Sequence, residues 1–224
     1  DLHRIARRQR QMCIRDSTYR IPTYTDLFYS SPTTLGNQEL KLEKAITKEI
    51  GLKYMRHNLN INISLYERDA SNIIDYVKNE ESDQWQANNI REIITNGVEL
   101  NMGYRFYLGN FREQSINIGF SNIDDNLLET DFTFSRYALN SLKNHITATY
   151  SFEINEKISS TLTYKNAERV NDKKYSVIDF RSSYNFDKFT FSVILNNILD
   201  AEYSETNLVP MPGFNSLAEF KYSF

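Results

Sequence analysis

Three histidines, one cysteine and two adjacent acidic pairs are the residues of this 224-residue chain whose types invite chemistry. His3, His57 and His145 are far apart, and Cys13 has no second cysteine, so neither a zinc-ligand spacing nor an intrachain disulfide can be written. Asp124-Asp125 and Glu80-Glu81 offer oxygen ligands of the kind hard cations take, but neighbouring carboxylates are equally served by water. A hydrolase would need a nucleophile or an acid–base set within reach of a histidine, and His145, near one end of a strand pattern, is the candidate for that reading. There is no glycine-rich phosphate loop. The sequence therefore predicts no metal site, no cofactor and no catalytic residue, and the net charge of -3 argues against a nucleic-acid partner.

The elements that would position these residues are strands. Leu59, Ile61, Ile63 and Leu65 alternate with Asn58, Asn60, Asn62, Ser64 and Tyr66, a period of two with one apolar and one polar face. The same split recurs over 43–55, 91–107, 116–121, 145–152, 160–165, 178–184, 189–196 and 214–224, which with 58–66 makes nine strands. The segments are joined alternately by tight turns at 56–58, 108–110, 155–157 and 187–188 and by longer connections over 67–89, 123–141, around 171–172 and over 197–213. Hydrophobic content is 40% and mean hydropathy -0.56, with no apolar run long enough for a membrane helix. Transmembrane strands leave just such an average, and strict alternation of short turns with long loops is the habit of outer-membrane barrels. The 15 Tyr and 14 Phe suit strands and aromatic belts. Lys48 falls on an apolar face and is expected at the outer rim, where a lysine costs least. An outer-membrane barrel enzyme of lipase or protease type and a soluble β-sandwich binding module are the alternative readings.

The polar faces carry Glu99, Arg105, Lys165, Asp179, Arg181, Glu219 and Lys221, candidates to line a lumen, either pairing with one another or touching a passing ligand. Tyr76, Trp85, Tyr137 and Tyr203 lie in the long connections and are candidates to grip a ligand from outside. An open sheet of these strands would have unpaired edges at 43–55 and 214–224.

Three stretches resemble a known family. Arg20-Ile21-Pro22-Thr23, then Asp26-Leu27-Phe28-Tyr29, then Gly36-Asn37-Gln38-Glu39-Leu40-Lys41-Leu42-Glu43 resemble the hallmark loop of TonB-dependent outer-membrane receptors, with Gln38 and Leu42 where that family usually has proline. Asn196-Asn197-Ile198-Leu199-Asp200-Ala201-Glu202-Tyr203 resembles the family's late motif, and Phe220, Tyr222 and Phe224 resemble the C-terminal signal read by the barrel-assembly machinery. The resemblance implies an all-β, antiparallel up-and-down transmembrane barrel, with residues 17–224 supplying the last nine strands of a 22-stranded barrel. It implies a Gram-negative outer membrane, lipid around the wall, a small scarce nutrient of siderophore or cobalamin type, and energy from TonB acting through a plug outside these residues. Residues 1–16 lack the alternation and carry five of the 14 arginines; they read as a non-native basic leader, residues 7–17 resembling translated adapter sequence. No signal peptide is visible there.

Overall fold

The computed structural model describes residues 8–109, 112–128, 132–136, 142–169, 174–206 and 209–223. The expected strands form in the expected order: β3 (Glu43–Arg56), β4 (Leu59–Lys78), β5 (Trp85–Leu108), β6 (Arg112–Leu128), β8 (Leu142–Asn155), β9 (Ile158–Arg169), β10 (Tyr175–Phe186), β11 (Phe189–Asn196) and β14 (Asn215–Tyr222). Each is antiparallel to its neighbour in one continuous sheet. The short turns lie where the sequence put them. His57, Gly109 and Asp187 take positive φ there, the backbone that tight hairpins require.

Two expectations are corrected. Residues 8–16 do not stand apart from the sheet: β1 (Arg8–Arg20) pairs antiparallel with β3 from Glu43 to Met55, so the edge expected at 43–55 is covered. Backbone groups on an open edge will pair with any extended chain, which is why absent alternation did not forbid a strand. The 67–89 and 123–141 connections are also shorter than expected. β4 runs on to Lys78, β5 begins at Trp85 and β6 continues to Leu128, so the polar stretch is mostly strand projecting past the apolar band.

That band is visible on one face. The rung Ile61, Met102, Ile118, Ala148, Tyr164 and Ile178 runs through its middle. On β5 it extends from Val98 to Phe106, about 20 Å along the membrane normal for a strand rise of ~3.4 Å and a tilt of ~40°. Towards the turn end the face is aromatic. Tyr104 stacks on Phe106 (5.5 Å), Tyr150 on Phe152 (4.9 Å) and Phe189 on Phe220 (5.6 Å). Phe220 and Tyr222 thus sit in an exposed aromatic belt; Phe224 lies outside the described residues. At the loop end the face changes at a rung of Lys48, Glu67, Asn96 and Asp124, where Lys48 Nζ is 2.7 Å from Glu67 Oε1.

The buried apolar side chains lie beyond the band. The sequence-edge elements α1 (Tyr24–Phe28), β2 (Thr34–Leu35) and β7 (Phe134–Ser135) fold onto the projecting β4–β5 hairpin and bury Ile74 to Val77, Ala87 and Ile90. β2 pairs with β5, and β7 with β4. A small second sheet, β12 (Ser204–Thr206) with β13 (Val209–Pro210), lies in the last long connection.

The two faces predict opposite responses to charge. Ile118→Arg, at mid-band, should destabilise the inserted fold by about 2–4 kcal/mol, whereas Asn117→Arg on the other face should be tolerated. Heat-modifiable mobility on gels measures the folded fraction of both; equal losses would mean that the apolar face does not meet lipid.

Candidate functional site

The hallmark loop is built around one carboxylate. Thr23 caps α1: its hydroxyl accepts from the Asp26 N–H (3.2 Å), and Asp26 Oδ2 accepts from the Thr23 N–H (2.9 Å), a reciprocal capping box. The same Asp26 carboxylate accepts from the Thr23 hydroxyl (2.8 Å), from Arg20 (2.9 Å) and, through Oδ1, from the Tyr76 hydroxyl (3.3 Å). Arg20 also donates to Glu43 (2.7 Å), which in turn accepts the Ile74 N–H (2.8 Å). Asp26 is 5% exposed. Burial pushes its carboxyl up, but the donors from Thr23, the Arg20 charge and Tyr76 outweigh it and hold the group below its ordinary value.

The other motif residues close the loop. The Gly36 N–H donates to the Tyr29 carbonyl (2.6 Å) and the Asn37 N–H to the Asp26 carbonyl (2.8 Å). A Cβ on Gly36 would lie 2.8–2.9 Å from the backbone of Asp26, Leu27 and Phe28, so only glycine lets the chain turn back this closely. Asn37 Oδ1 accepts from the Glu39 N–H (2.9 Å), and Lys41 exchanges both its backbone groups with the Asn89 side chain. Pro22 precedes the cap, while Leu27 and Leu40 are half-buried. Asp26 is the residue the sequence reading passed over as a site; Thr23-x-x-Asp26 is itself the capping-box signal that marks it.

Two segments clasp the hairpin. Tyr76 meets Asp26 of the hallmark loop, while its neighbour Asp75, 1% exposed, accepts from the hydroxyl of Ser135 in β7. Consecutive strand side chains point to opposite faces, so β7, paired along the β4 edge, reaches Asp75 on one face through Ser135 and Tyr76 on the other through Arg136, the face that Asp26 of α1 also meets. The Arg136 guanidinium lies over the rings of Tyr76 (5.4 Å) and Trp85 (4.9 Å), and Lys78 lies over Trp85 (5.0 Å). Tyr76 and Trp85 are therefore engaged by the clasp; Tyr137 lies outside the described residues.

The late motif fixes the last loop. Asn197, 2% exposed and at positive φ, donates from its backbone to Asp179 Oδ1 (2.8 Å) and from its amide to the carbonyls of Ala201 (2.9 Å) and Pro212 (3.2 Å). Asp200 accepts the Phe214 N–H (2.7 Å), and Asn196 bonds across to Asn215 (2.8 Å). From the loop so held, Tyr203 stacks on Tyr175 at 4.5 Å within a small apolar cluster with Ala167 and Val177. Burial, then Glu205, raises the Tyr203 hydroxyl above its ordinary value. Glu205 pairs with Lys165, and its carbonyl accepts from Arg169 (2.6 Å).

Among the expected lumen charges, Arg181 pairs with Glu219 (2.8 Å) and Arg105 lies 3.7 Å from Glu113. Asp179 serves the late motif, Lys165 the last loop, and Glu99 stands between Ser64 and Ser121 while Lys221 stands beside Thr190. His57 occupies a turn and His145 a strand beside Ser121 and Ala167, at opposite ends of the sheet. Among the described residues no group of three or more potential metal ligands converges, and no helix is long and apolar enough to cross a membrane.

Residues 16–198 match the family model described as TonB dependent receptor-like, beta-barrel. Over 82 residues the chain is 28% identical to the vitamin B12 transporter BtuB of Vibrio vulnificus, covering 37% of the chain and 13% of that protein. The fold resembles the copper transporter OprC (TM-score 0.71, 17% identity, 96% of the chain and 37% of that structure). It also resembles the siderophore receptor PirA of Acinetobacter baumannii (TM-score 0.72, 16% identity, 96% and 39%). The chain thus spans well under half the length of these relatives.

Asp26 makes the clasp sensitive to acid. A carboxyl held below its unfolded value of about 3.9 stabilises the fold above that pH, and the contribution is lost as pH falls through the folded value. Trp85, the only tryptophan, donates its backbone N–H to the Thr33 carbonyl (2.9 Å), and its ring lies beside Arg136 and Lys78, so it reports on the loop. Its emission should stay constant from pH 7 to about 5 and shift to the red below about 4. Asp26→Asn should cost about 1–3 kcal/mol at every pH, leaving the clasp loosened already at neutral pH and removing the acid-dependent step of this group; unchanged emission in that variant would show the carboxylate to be dispensable.

Proposed function

Because the chain belongs to the TonB-dependent receptor β-barrel family, we propose that it forms wall and loop segments of an outer-membrane receptor that imports a scarce small nutrient, a metal chelate of siderophore type or a cobalamin. The observation that carries this reading is the match over residues 16–198, in which the family's motif stretches fold as the clasp on the β4–β5 hairpin. The complete barrel would have 22 strands around a plug, with TonB acting on that plug from the periplasm and the barrel-assembly machinery reading the terminal aromatics. With the short turns periplasmic, the hairpin, the hallmark loop and the last loop face outside. There Tyr175, Tyr203, Lys165 and His145, on the polar face near the loop end, would border the ligand's path. Copper, siderophore and vitamin B12 appear among the names of similar proteins, which supports a small ligand over a polymer.

The catalytic reading has less support. The relatives are named as transporters and receptors, and the in-register neighbours of His145 are Ser121 and Ala167. Uptake by cells carrying or lacking the gene tests the proposal, using an iron-loaded siderophore panel and cyanocobalamin as labelled ligands. One class should enter only with the gene present and only in energised cells. Uptake that ignores the gene, or that survives collapse of the proton gradient, would overturn it.

A further inference from the structure

Past the apolar band the projecting hairpin becomes a small four-stranded sheet, β2-β5-β4-β7, and a cavity of about 550 Å³ opens on one side of it. Leu35, Gln86 and Val77 stand in register as one rung of its floor, with Asn88 in the next rung and Ile90 in the one after. Gln86, Asn88 and Ile90 are in step with Val98 and Met102 on β5, so the cavity lies on the apolar-band side of the sheet, whereas Tyr76 and the hallmark loop lie on the other. Val77 and Gln86 stand ten residues past the Glu67–Asn96 rung at the band's margin. With a rise of ~3.4 Å and a tilt of ~40° that is about 26 Å, well beyond the headgroup layer. Lipid tails do not reach this cavity, and its volume is that of an ordinary small-molecule site, about 300–1,000 Å³.

The charges around the cavity are engaged elsewhere. Lys78 follows Val77 and so points to the other face, where its ammonium donates to the Glu81 carbonyl and lies over Trp85 (5.0 Å) and Phe134 (5.6 Å). Asp83 accepts the Glu80 N–H (2.8 Å), and Asp75, opposite Asn88, is closed off by the Ser135 hydroxyl. Side-chain amides are what the cavity presents. Gln84 donates to the carbonyls of Pro32 (2.8 Å) and Ser31 (3.3 Å), which leaves its oxygen, and Asn88 accepts from Asn37 (3.4 Å), which leaves its N–H groups. Gln86 and Asn79 make no side-chain hydrogen bond to any described residue. Primary amides donate and accept in equal measure, as sugar hydroxyls do, and Phe132 with Leu35 and Ile90 offers an apolar wall for the C–H face of a sugar ring. We propose that this cavity binds a neutral saccharide at the cell surface, on the opposite side of the sheet from the transport path, with the amides of Asn79, Gln84, Gln86 and Asn88 on its hydroxyls and Phe132 on its ring.

Only the outward orientation rests on the outer-membrane reading; binding is measured on purified protein, apart from uptake. The full-length protein, extracted from membranes in a mild detergent, is titrated with maltotriose, cellotriose, triacetylchitotriose, trigalacturonate and the saccharide released from the host's own surface glycolipid. Saturation-transfer NMR reports the binding of each. At least one neutral probe should bind, and more tightly than trigalacturonate. The released saccharide binding best would identify the same membrane as the source, and a free trisaccharide binding best a glycan from outside, each supporting the site. Gln86→Leu with Asn88→Leu should weaken binding about tenfold, and Phe132→Ala, which attacks the wall alone, about as much. Unshifted Trp85 emission shows these variants to be folded, and nutrient uptake should be unchanged. The saccharide site is refuted if no neutral probe binds, if trigalacturonate binds as tightly, or if both kinds of folded variant bind as before. Uptake lost together with sugar binding would make the cavity part of the transport path and refute its separate role. Recovery of the protein in the soluble fraction would overturn the outward orientation alone.

Discussion

Everything in this molecule follows from the need to satisfy backbone hydrogen bonds where no water is present. In hydrocarbon an unpaired N–H or C=O costs several kcal/mol, so a chain that crosses with strands must give every strand a partner on each side. The antiparallel ladder from β1 to β14 does this for each interior strand, and the register it enforces places whole rungs of like side chains side by side. One slip by a single residue would exchange Met102 of the apolar face for Asn101 and invert the wall. The apolar band, the aromatic belt at one margin and the charged rung at the other are consequences of that register.

Past the band the constraint changes. β4 and β5 continue as a hairpin whose edges are no longer covered by β3 and β6, and an isolated hairpin is barely stable in water. The structure answers with two borrowed edge partners, β2 on β5 and β7 on β4, and with α1 packed across one face. This explains why the hallmark stretch is rich in residues that resemble a binding motif yet bond mainly to the chain itself. Arg20, Thr23, Asp26, Glu43 and Tyr76 form one connected network, and a network of this kind is stable only when each member has its partner. Asn197 and Asp200 do the same for the last loop, tying its two ends to each other and to Asp179 on the wall. Loops must be held in place before they can present anything, and these motifs supply that hold.

The sequence by itself determined the strands from Glu43 onward, their order, their faces and their tight turns, because alternation with a period of two is a local property that the ladder only has to honour. It also placed Lys48 at a margin, since a lysine on an apolar face is tolerable only there. Tertiary structure decided what lay outside that pattern. Whether residues 67–78 were loop or strand depended on the segments that arrive from residues 20–42 and 132–136, which no window of the sequence contains. The pairing of residues 8–16 depended on an open edge of β3, and the engagement of Tyr76, Trp85 and Tyr203 on partners distant in the sequence, such as Asp26 and Arg136 for Tyr76. Periodicity encodes which way a side chain points; what it meets there is fixed only when distant parts of the chain compete for the same edge and the same face.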